Sequence, residues 1–482
     1  MSDAELKSAE IKLWSESLKT SISSFFGVLS DVIHVFILVR FLDQSSVGIF
    51  FLSYGFLYLF AQIPRGIGIA VRKRASEINE GRSKYLWIGF IIILPALLLV
   101  YTGFGLMLPL LNQYSIVKIP FSVFIALLFA STGFGTLEFS RYYMAGCSEP
   151  GLAETLRTGI AKTSMPVITV LSLYYIPTVE SALYAVFVSY FTTSIIIFLI
   201  SPHKLVHPSR EDIIDILQYS KWSLSTSILN DFYRRWDTIL LGVMVGSAAL
   251  SYYDSSLRIA FLATTFAIGI SKTSNVKMSG MVETDEDIAS VAKKTVVAST
   301  FLIFPLLILT LLNGDYMLQV LFGTEYENGG VYLVLISVVQ LFQAYRVQFE
   351  SVFNSSDMPN VTTQASLLSV IFNVLTAPIL VVTFGGLGVL YSTIMSEFVR
   401  LAIYQVRVNG LLGEYVVPKG ALIQFICFLL STGVLLIIDD LVISSNLYML
   451  IISIIIGIPM FYISQYILSD QTRGIIQEYI DE

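Results

Sequence analysis

Apolar stretches of about twenty residues recur from one end of this chain to the other, separated by short polar breaks. As an α-helix, such a stretch covers roughly 30 Å, the hydrocarbon thickness of a bilayer, at about 1.5 Å per residue. Composition points the same way. With 55% hydrophobic and 13% charged residues among 482, the chain has too little charge to clothe a soluble globule and too many apolar side chains for one core. The windows fall at 20–41, 47–69, 85–108, 119–142, 158–176 and 181–200, then at 217–243, 252–275, 295–314, 329–351, 361–383 and 386–406, and finally at 420–438 and 447–467. The sequence predicts an all-α integral membrane protein with about fourteen transmembrane helices and no sizeable soluble domain.

Lysine and arginine set the orientation, because basic loops stay on the cytoplasmic side. Alternate loops hold little more than Arg40 and Lys118, whereas the others carry Arg72, Lys73, Arg74, Arg82, Lys84, Arg157, Lys204, Arg210, Lys277, Lys293, Lys294, Arg407 and Lys419. This predicts a multi-pass protein of the cytoplasmic membrane with both termini cytoplasmic. The charged segment 1–19 lacks the basic start and cleavage site of a signal peptide, so the first span is expected to be its own insertion signal. Two cysteines, Cys147 and Cys427, offer no disulfide framework, and His34, His203 and His207 are too scattered for a metal site. The net charge of -6, with its basic residues dispersed over short loops, gives no nucleic-acid face.

The longest polar break near the middle, around residues 203–216, separates two sets of six spans. Laid on one another, the sets place Thr20-Ser21-Ile22 on Thr226-Ser227-Ile228 and Asp31 on Asp237. Six helices repeated in one orientation form a parallel repeat, an arrangement that builds two lobes around a central cavity. The expected domains are the N-terminal segment 1–19, an N-lobe 20–202, a cytoplasmic linker 203–216, a C-lobe 217–418, a helical pair 419–468 and a cytoplasmic tail 469–482.

At this point the chain resembles the polysaccharide transporter family of the multidrug/oligosaccharidyl-lipid/polysaccharide flippase superfamily. The resemblance lies in the twelve-plus-two span pattern, in Tyr219-Ser-Lys-Trp-Ser-Leu-Ser, in Trp236-Asp-Thr-Ile-Leu-Leu-Gly242, and in Tyr252-Tyr-Asp-Ser-Ser-Leu257. Val320-Leu-Phe-Gly-Thr-Glu-Tyr326 and the turn Gly385-Gly-Leu-Gly388 look similar too. Leu250-Ser251-Tyr252 departs from the family, which usually carries a glycine before Tyr253. The resemblance implies a transporter, not an enzyme, that takes a polyprenyl-(pyro)phosphate-linked oligosaccharide or polysaccharide repeat unit across the membrane by alternating access. It further implies membrane lipids and glycosyltransferases or a polymerase of the same pathway as partners, with the helical pair flanking the lobes.

Ionisable residues inside the predicted spans are the most informative: Asp31, Arg65, Glu138, Arg141, Asp231, Arg234, Arg235, Asp237, Asp254, Arg258, Arg346, Glu350, Glu397 and Arg400. Each costs about 2.5–3.5 kcal/mol at a helix centre, so they are expected to face a cavity, a partner or the interface. Many stand three or four residues from an opposite charge and can neutralise one another within one helix. The sharper alternative is an inner gate of Glu138/Arg141 on the fourth span and Arg346/Glu350 on the tenth. Arg234 and Arg235 lie near mid-depth, where snorkelling fails, and a desolvated guanidinium binds phosphate oxygens bidentately. They are the leading substrate-binding candidates, with Arg65, beside a possible helix break at Pro64 and Gly66, and Arg258 as further ones. Asp31 and Asp237 are candidates for coupling to H+ or Na+, because an acid in a low-dielectric cavity switches charge near neutral pH. No other cofactor is implied.

No GxxxxGK[ST], HExxH or dinucleotide fingerprint occurs, which argues against ATP hydrolysis by this chain. Two other functions compete: a cation-coupled multidrug exporter of the same superfamily, and a sugar-polymerising membrane enzyme. An arginine-rich cavity repels cationic drugs, and short loops leave no place for a large catalytic domain.

Overall fold

The computed structural model describes residues 26–77, 83–113, 119–147, 150–201, 206, 208–283, 287–356, 358–413, 419–441, 446–469 and 472–473. The segment 1–19, His203, His207 and most of the tail 469–482 lie outside these residues. No strand occurs among the described residues. That is what lipid demands, because without water each backbone N–H and C=O has to be satisfied within its own helix. Among the described residues ten helical segments are long and apolar enough to span a bilayer, against the fourteen expected from the windows, and the chain is a multi-pass, all-α membrane protein. Two compact units divide it, residues 1–251 and 252–482.

The first unit contains α1 (26–41), α2 (Gln44–Phe60), α3 (Gln62–Glu77), α4 (Ser83–Gln113) and α5 (Phe121–Gly146). It continues with α6 (Pro150–Thr155), a π turn (Leu156–Ala161), α7 (Lys162–Tyr175), α8 (Val179–Ile200) and α9 (Arg210–Met244). Asp43 caps α2 by accepting from the Ser46 backbone N–H at 3.1 Å and hydroxyl at 2.6 Å, and these bonds hold its carboxyl below the usual range. The helix break expected beside Arg65 falls at Ala61 instead. Pro64 has no N–H for the carbonyl of Phe60, so the chain loosens one turn earlier. Helix α5 packs on α3 and α8 at the centre of the unit. At Gly135 a Cβ would lie 2.7 Å from the Pro64 ring, so only glycine lets α3 approach closely enough to set Arg65 against Glu138.

Helix α9 runs antiparallel along α2 and α3, and its contacts keep one register. Gly48 meets Ser247, just beyond α9, so closely that a Cβ would strike the serine backbone. Leu52 meets Gly242, and Gly55 meets Thr238. Farther along, Arg235 lies over Tyr58, Lys73 over Tyr219, and Arg74 pairs with Asp215 at 2.6 Å. One end of this seam is closed by backbone contact and the other by charge. Lys84 of α4 adds an ion pair to Asp212 at 2.7 Å, and Asp212 completes a capping box with Ser209 that starts α9.

The second unit holds α10 (Ser247–Glu283), most of which lies beyond the boundary, with α11 (Ala289–Ser299), α12 (Ile303–Phe322), α13 (Gly330–Ser355) and α14 (Pro359–Phe384). After these come α15 (Gly386–Leu412), α16 (Lys419–Leu441), α17 (Asn446–Ile452), a second π turn (Ser453–Gly457) and α18 (Ile458–Leu468). The predicted span 295–314 is interrupted between α11 and α12, where Pro305 cannot bond the carbonyl of Phe301; the Tyr462 hydroxyl donates to that carbonyl instead, at 2.9 Å. Helices α14 and α15 turn at Gly385 (φ +59°) and are stitched by polar side chains, Asn373 to Thr393 at 3.0 Å and Thr376 to Ser392 at 2.7 Å.

Candidate functional site

The first unit gathers charge around one carboxylate. Glu138, near the middle of α5, is 1% exposed, and three guanidiniums surround it: Arg141 at 2.9 Å, Arg157 at 3.4 Å and Arg65 at 3.6 Å. Glu154 of α6 bridges Arg157 at 2.9 Å and Arg141 at 3.2 Å. The arginines are far more open than the acid they surround, with 25% of the Arg65 and Arg157 side chains and 17% of Arg141 exposed. Five charges from four elements are thus fixed with Glu138 innermost and the three arginines and Glu154 outward, and charge-assisted hydrogen bonds hold the guanidinium orientations.

The π turn explains how Arg157 within it and Lys162 at the start of α7 both aim inward. Residues five apart in an α-helix point about 140° apart at 100° per residue, whereas the i to i+5 bond of a π turn brings them nearly onto one face. Arg157 therefore reaches Glu138 while Lys162 reaches Asp31 of α1 at 2.6 Å. The loosened turn is braced by Ser189, whose hydroxyl donates to the Ala161 carbonyl at 2.6 Å. Beside Asp31, buried His34 meets the Thr169 hydroxyl at 3.1 Å and stands edge-on to Phe50.

Phe50, Tyr54 and Tyr58 form a stripe at four-residue spacing on α2. Tyr54 bonds the Tyr190 hydroxyl at 2.8 Å, and Tyr58 packs edge-on against Phe134 at 4.9 Å. On the other side the Tyr58 ring receives Arg235, whose guanidinium carbon lies 4.0 Å from its centroid. Asp237, two residues on, is buried in the same helix. Arg234 and Asp231 lie in α9, but their side chains fall outside the described residues.

The second unit has its own network. Arg346 pairs with Glu350 at 3.1 Å and Glu397 at 3.4 Å, and Arg400, 1% exposed, pairs with Glu397 at 3.3 Å and donates to Ser369 at 3.0 Å. Tyr404 donates to Glu350 at 3.3 Å. Asp254 is buried in α10, one turn from Arg258.

Of the residues expected from sequence, Arg65, Glu138 and Arg141 meet in one cluster and Arg346 and Glu350 in another. Arg235 and Asp237 share α9, and Arg258 belongs to the second unit. Glu154, Arg157, Lys162 and Tyr58 are not among the intramembrane residues singled out from the sequence. Glu154 and Arg157 carry the same i,i+3 signal as Glu138 and Arg141, and Lys162 is the lone cation of the window 158–176.

Comparison with known proteins agrees with the architecture. A family model described as "Polysaccharide biosynthesis protein" matches residues 153–329. The chain is 24% identical over 399 residues to the probable low-salt glycan biosynthesis flippase Agl15 of Haloferax volcanii, covering 80% of this chain and 82% of that protein. Among solved structures, the lipid II flippase MurJ in an inward closed conformation superposes with a TM-score of 0.76 at 16% identity, over 95% of this chain and 99% of that one. An inward-facing multidrug resistance MATE transporter superposes at 0.62 with 14% identity, over 80% and 95%. At those identities the structures speak for the fold. The match over residues 153–329, the likeness to the Haloferax protein and the shared fold all agree with the resemblance to the polysaccharide transporter family read from the sequence.

Proposed function

We propose that the chain carries a polyprenyl-(pyro)phosphate-linked oligosaccharide or polysaccharide repeat unit across the cytoplasmic membrane by alternating access, for assembly of a surface glycan or glycoprotein. One observation carries this reading: in the first unit a buried Glu138 holds three arginines whose outer surfaces are accessible, and Glu138, Arg65 and Arg141 lie in helical segments long and apolar enough to cross a membrane. Cations fixed in a low-dielectric setting, with their reorganisation already complete, suit a phosphate and repel a cationic drug. The Haloferax relative, a probable glycan biosynthesis flippase, supports the same substrate class.

In this proposal Arg65 and Arg235 hold the phosphate, with Arg234 as a further contact, and Arg258 of the second unit is a separate substrate-binding candidate. Asp31 and Asp237 couple transport to H+ or Na+. Lys162 gives that role a physical form for Asp31, because protonating the acid releases a lysine 2.6 Å away. Glu138 with Arg141 in the first unit and Arg346 with Glu350 in the second are the gate charges of this proposal, with an N-lobe of 20–202, a linker 203–216 and a C-lobe of 217–418. Both termini are cytoplasmic, and glycosyltransferases or a polymerase of the pathway supply or consume the cargo.

Surface glycan display in cells that insert each variant tests the site. Arg65→Gln and Arg235→Gln are expected to reduce display at least tenfold, matching the loss of one charged hydrogen-bonding partner, about 1.5–3 kcal/mol. Normal display in both would overturn the phosphate site.

A further inference from the structure

An arginine held by a carboxylate spends its N–H groups on that partner, whereas one held by the face of an aromatic ring keeps its N–H edge for a ligand. The first unit contains both kinds. Arg141 and Arg157 donate to Glu138 and Glu154, while the partner Arg235 meets among the described residues is the face of Tyr58.

We propose that Tyr58 is a positioning residue of the anion site, and that its ring face, not its hydroxyl, holds Arg235 of α9 ready for a phosphate beside the Arg65, Arg141 and Arg157 cluster. This rests on the phosphate-binding reading above. Two features fix the placement. The ring is clamped edge-on by Tyr54, at 5.3 Å and 73°, and by Phe134, at 4.9 Å and 66°, so it cannot swing away from α9. The seam of α2 with α9 supplies the register: Gly48 on Ser247, Leu52 on Gly242 and Gly55 on Thr238 bring Arg235 over Tyr58 at the next turn. Tyr58 is also within electrostatic reach of Arg157 of the Glu138 cluster. A phosphate oxygen arriving there would meet guanidiniums from four helical elements, α3, α5, the π turn and α9, and among the described residues the N–H edge of Arg235 meets no carboxylate. The ligand class is an organic phosphate or pyrophosphate attached to a lipid.

The test is binding of radiolabelled farnesyl pyrophosphate to the purified full-length chain in nanodiscs. Tyr58→Phe keeps the ring and is expected to bind within twofold of wild type. Tyr58→Leu is expected to bind about tenfold more weakly, the size of a desolvated cation–π contact. Arg235→Gln should lose as much, and adding Tyr58→Leu to it should cost nothing further, because the ring acts through the arginine. Wild-type affinity in Tyr58→Leu, equal loss in Tyr58→Phe, or a double variant that sums both losses would each overturn the positioning role while leaving the anion site standing. Unchanged binding in Arg65→Gln, Arg157→Gln and Arg235→Gln alike would instead overturn the anion site itself, and the role of Tyr58 with it.

Discussion

Both units bury a network of arginines and carboxylates, but the networks are inverted. In the first, the innermost charge is an anion: Glu138 is 1% exposed, and around it lie three arginines 17–25% exposed and one further acid, Glu154, at 18%. In the second, the innermost charge is a cation: Arg400 is 1% exposed, next to Glu397 at 7%, and the outer members are one of each sign, Arg346 at 21% and Glu350 at 26%. The same residue types thus present a mainly positive surface in one unit and a balanced one in the other. A network with its anion inside displays cations, and a network with its cation inside leaves little net charge to offer a ligand. This contrast is why the phosphate site is sought in the first unit.

The largest expected effect comes from removing the central anion. Glu138→Gln leaves Arg65, Arg141 and Arg157 facing one another around a neutral amide, and breaking a buried network from one side costs about 3–5 kcal/mol. Thermal unfolding in detergent should fall well below that of Glu350→Gln, whose partly exposed pair contributes about 1 kcal/mol or less. Adding Arg65→Leu to Glu138→Gln is expected to recover part of the loss, because it removes one of the crowded cations. Equal melting temperatures for the two single variants would erase the contrast between the units.

Ligand binding separates the networks at a smaller energy. Arg157→Gln is expected to weaken farnesyl pyrophosphate binding by about tenfold, or about 1.4 kcal/mol. Arg346→Gln should bind within twofold of wild type even if it slows transport, since its role in the proposal is gating. An Arg346→Gln defect in binding as large as that of Arg157→Gln would move the anion site out of the first unit.

How much of this is legible in the sequence follows from what each feature depends on. Ten of the fourteen windows are legible as spans because hydrocarbon thickness fixes their length; the windows 20–41, 158–176, 217–243 and 252–275 are not among the segments long and apolar enough to cross a membrane in the described residues. The pairs Glu138 with Arg141, Arg346 with Glu350 and Glu397 with Arg400 are legible because helical spacing alone brings them together. What the sequence hides is contact between distant segments. Nothing local shows that Lys162 reaches Asp31, that Tyr58 receives Arg235, or that Arg157 joins Glu138. The last also requires the π turn, which adds a residue to one helical turn and so defeats any reading at 3.6 residues per turn.

The smallest effect belongs to the ion pair at the start of α9, and it calibrates the buried networks. Partial burial disfavours the Asp212 carboxylate, but the Lys84 ammonium at 2.7 Å and the hydroxyl and backbone of Ser209 outweigh that and hold its carboxyl below the ordinary value. A carboxyl depressed on folding contributes stability that is complete above its unfolded value, near 3.9, and is lost as pH falls through the lower folded one. Between pH 7 and about 5 the pair should therefore add a constant increment, roughly 0.5 kcal/mol as for other pairs of this exposure. Asp212→Asn is expected to lower the melting temperature by the same small amount throughout that range, and the gap from wild type should close below about pH 4. A gap that widens on acidification would mean that the carboxyl is raised, not lowered, on folding. High salt should shrink the gap at neutral pH, since charges this near water are screened. The same salt should shrink the Glu138→Gln deficit by a smaller fraction, because the Glu138 carboxylate itself is 1% exposed.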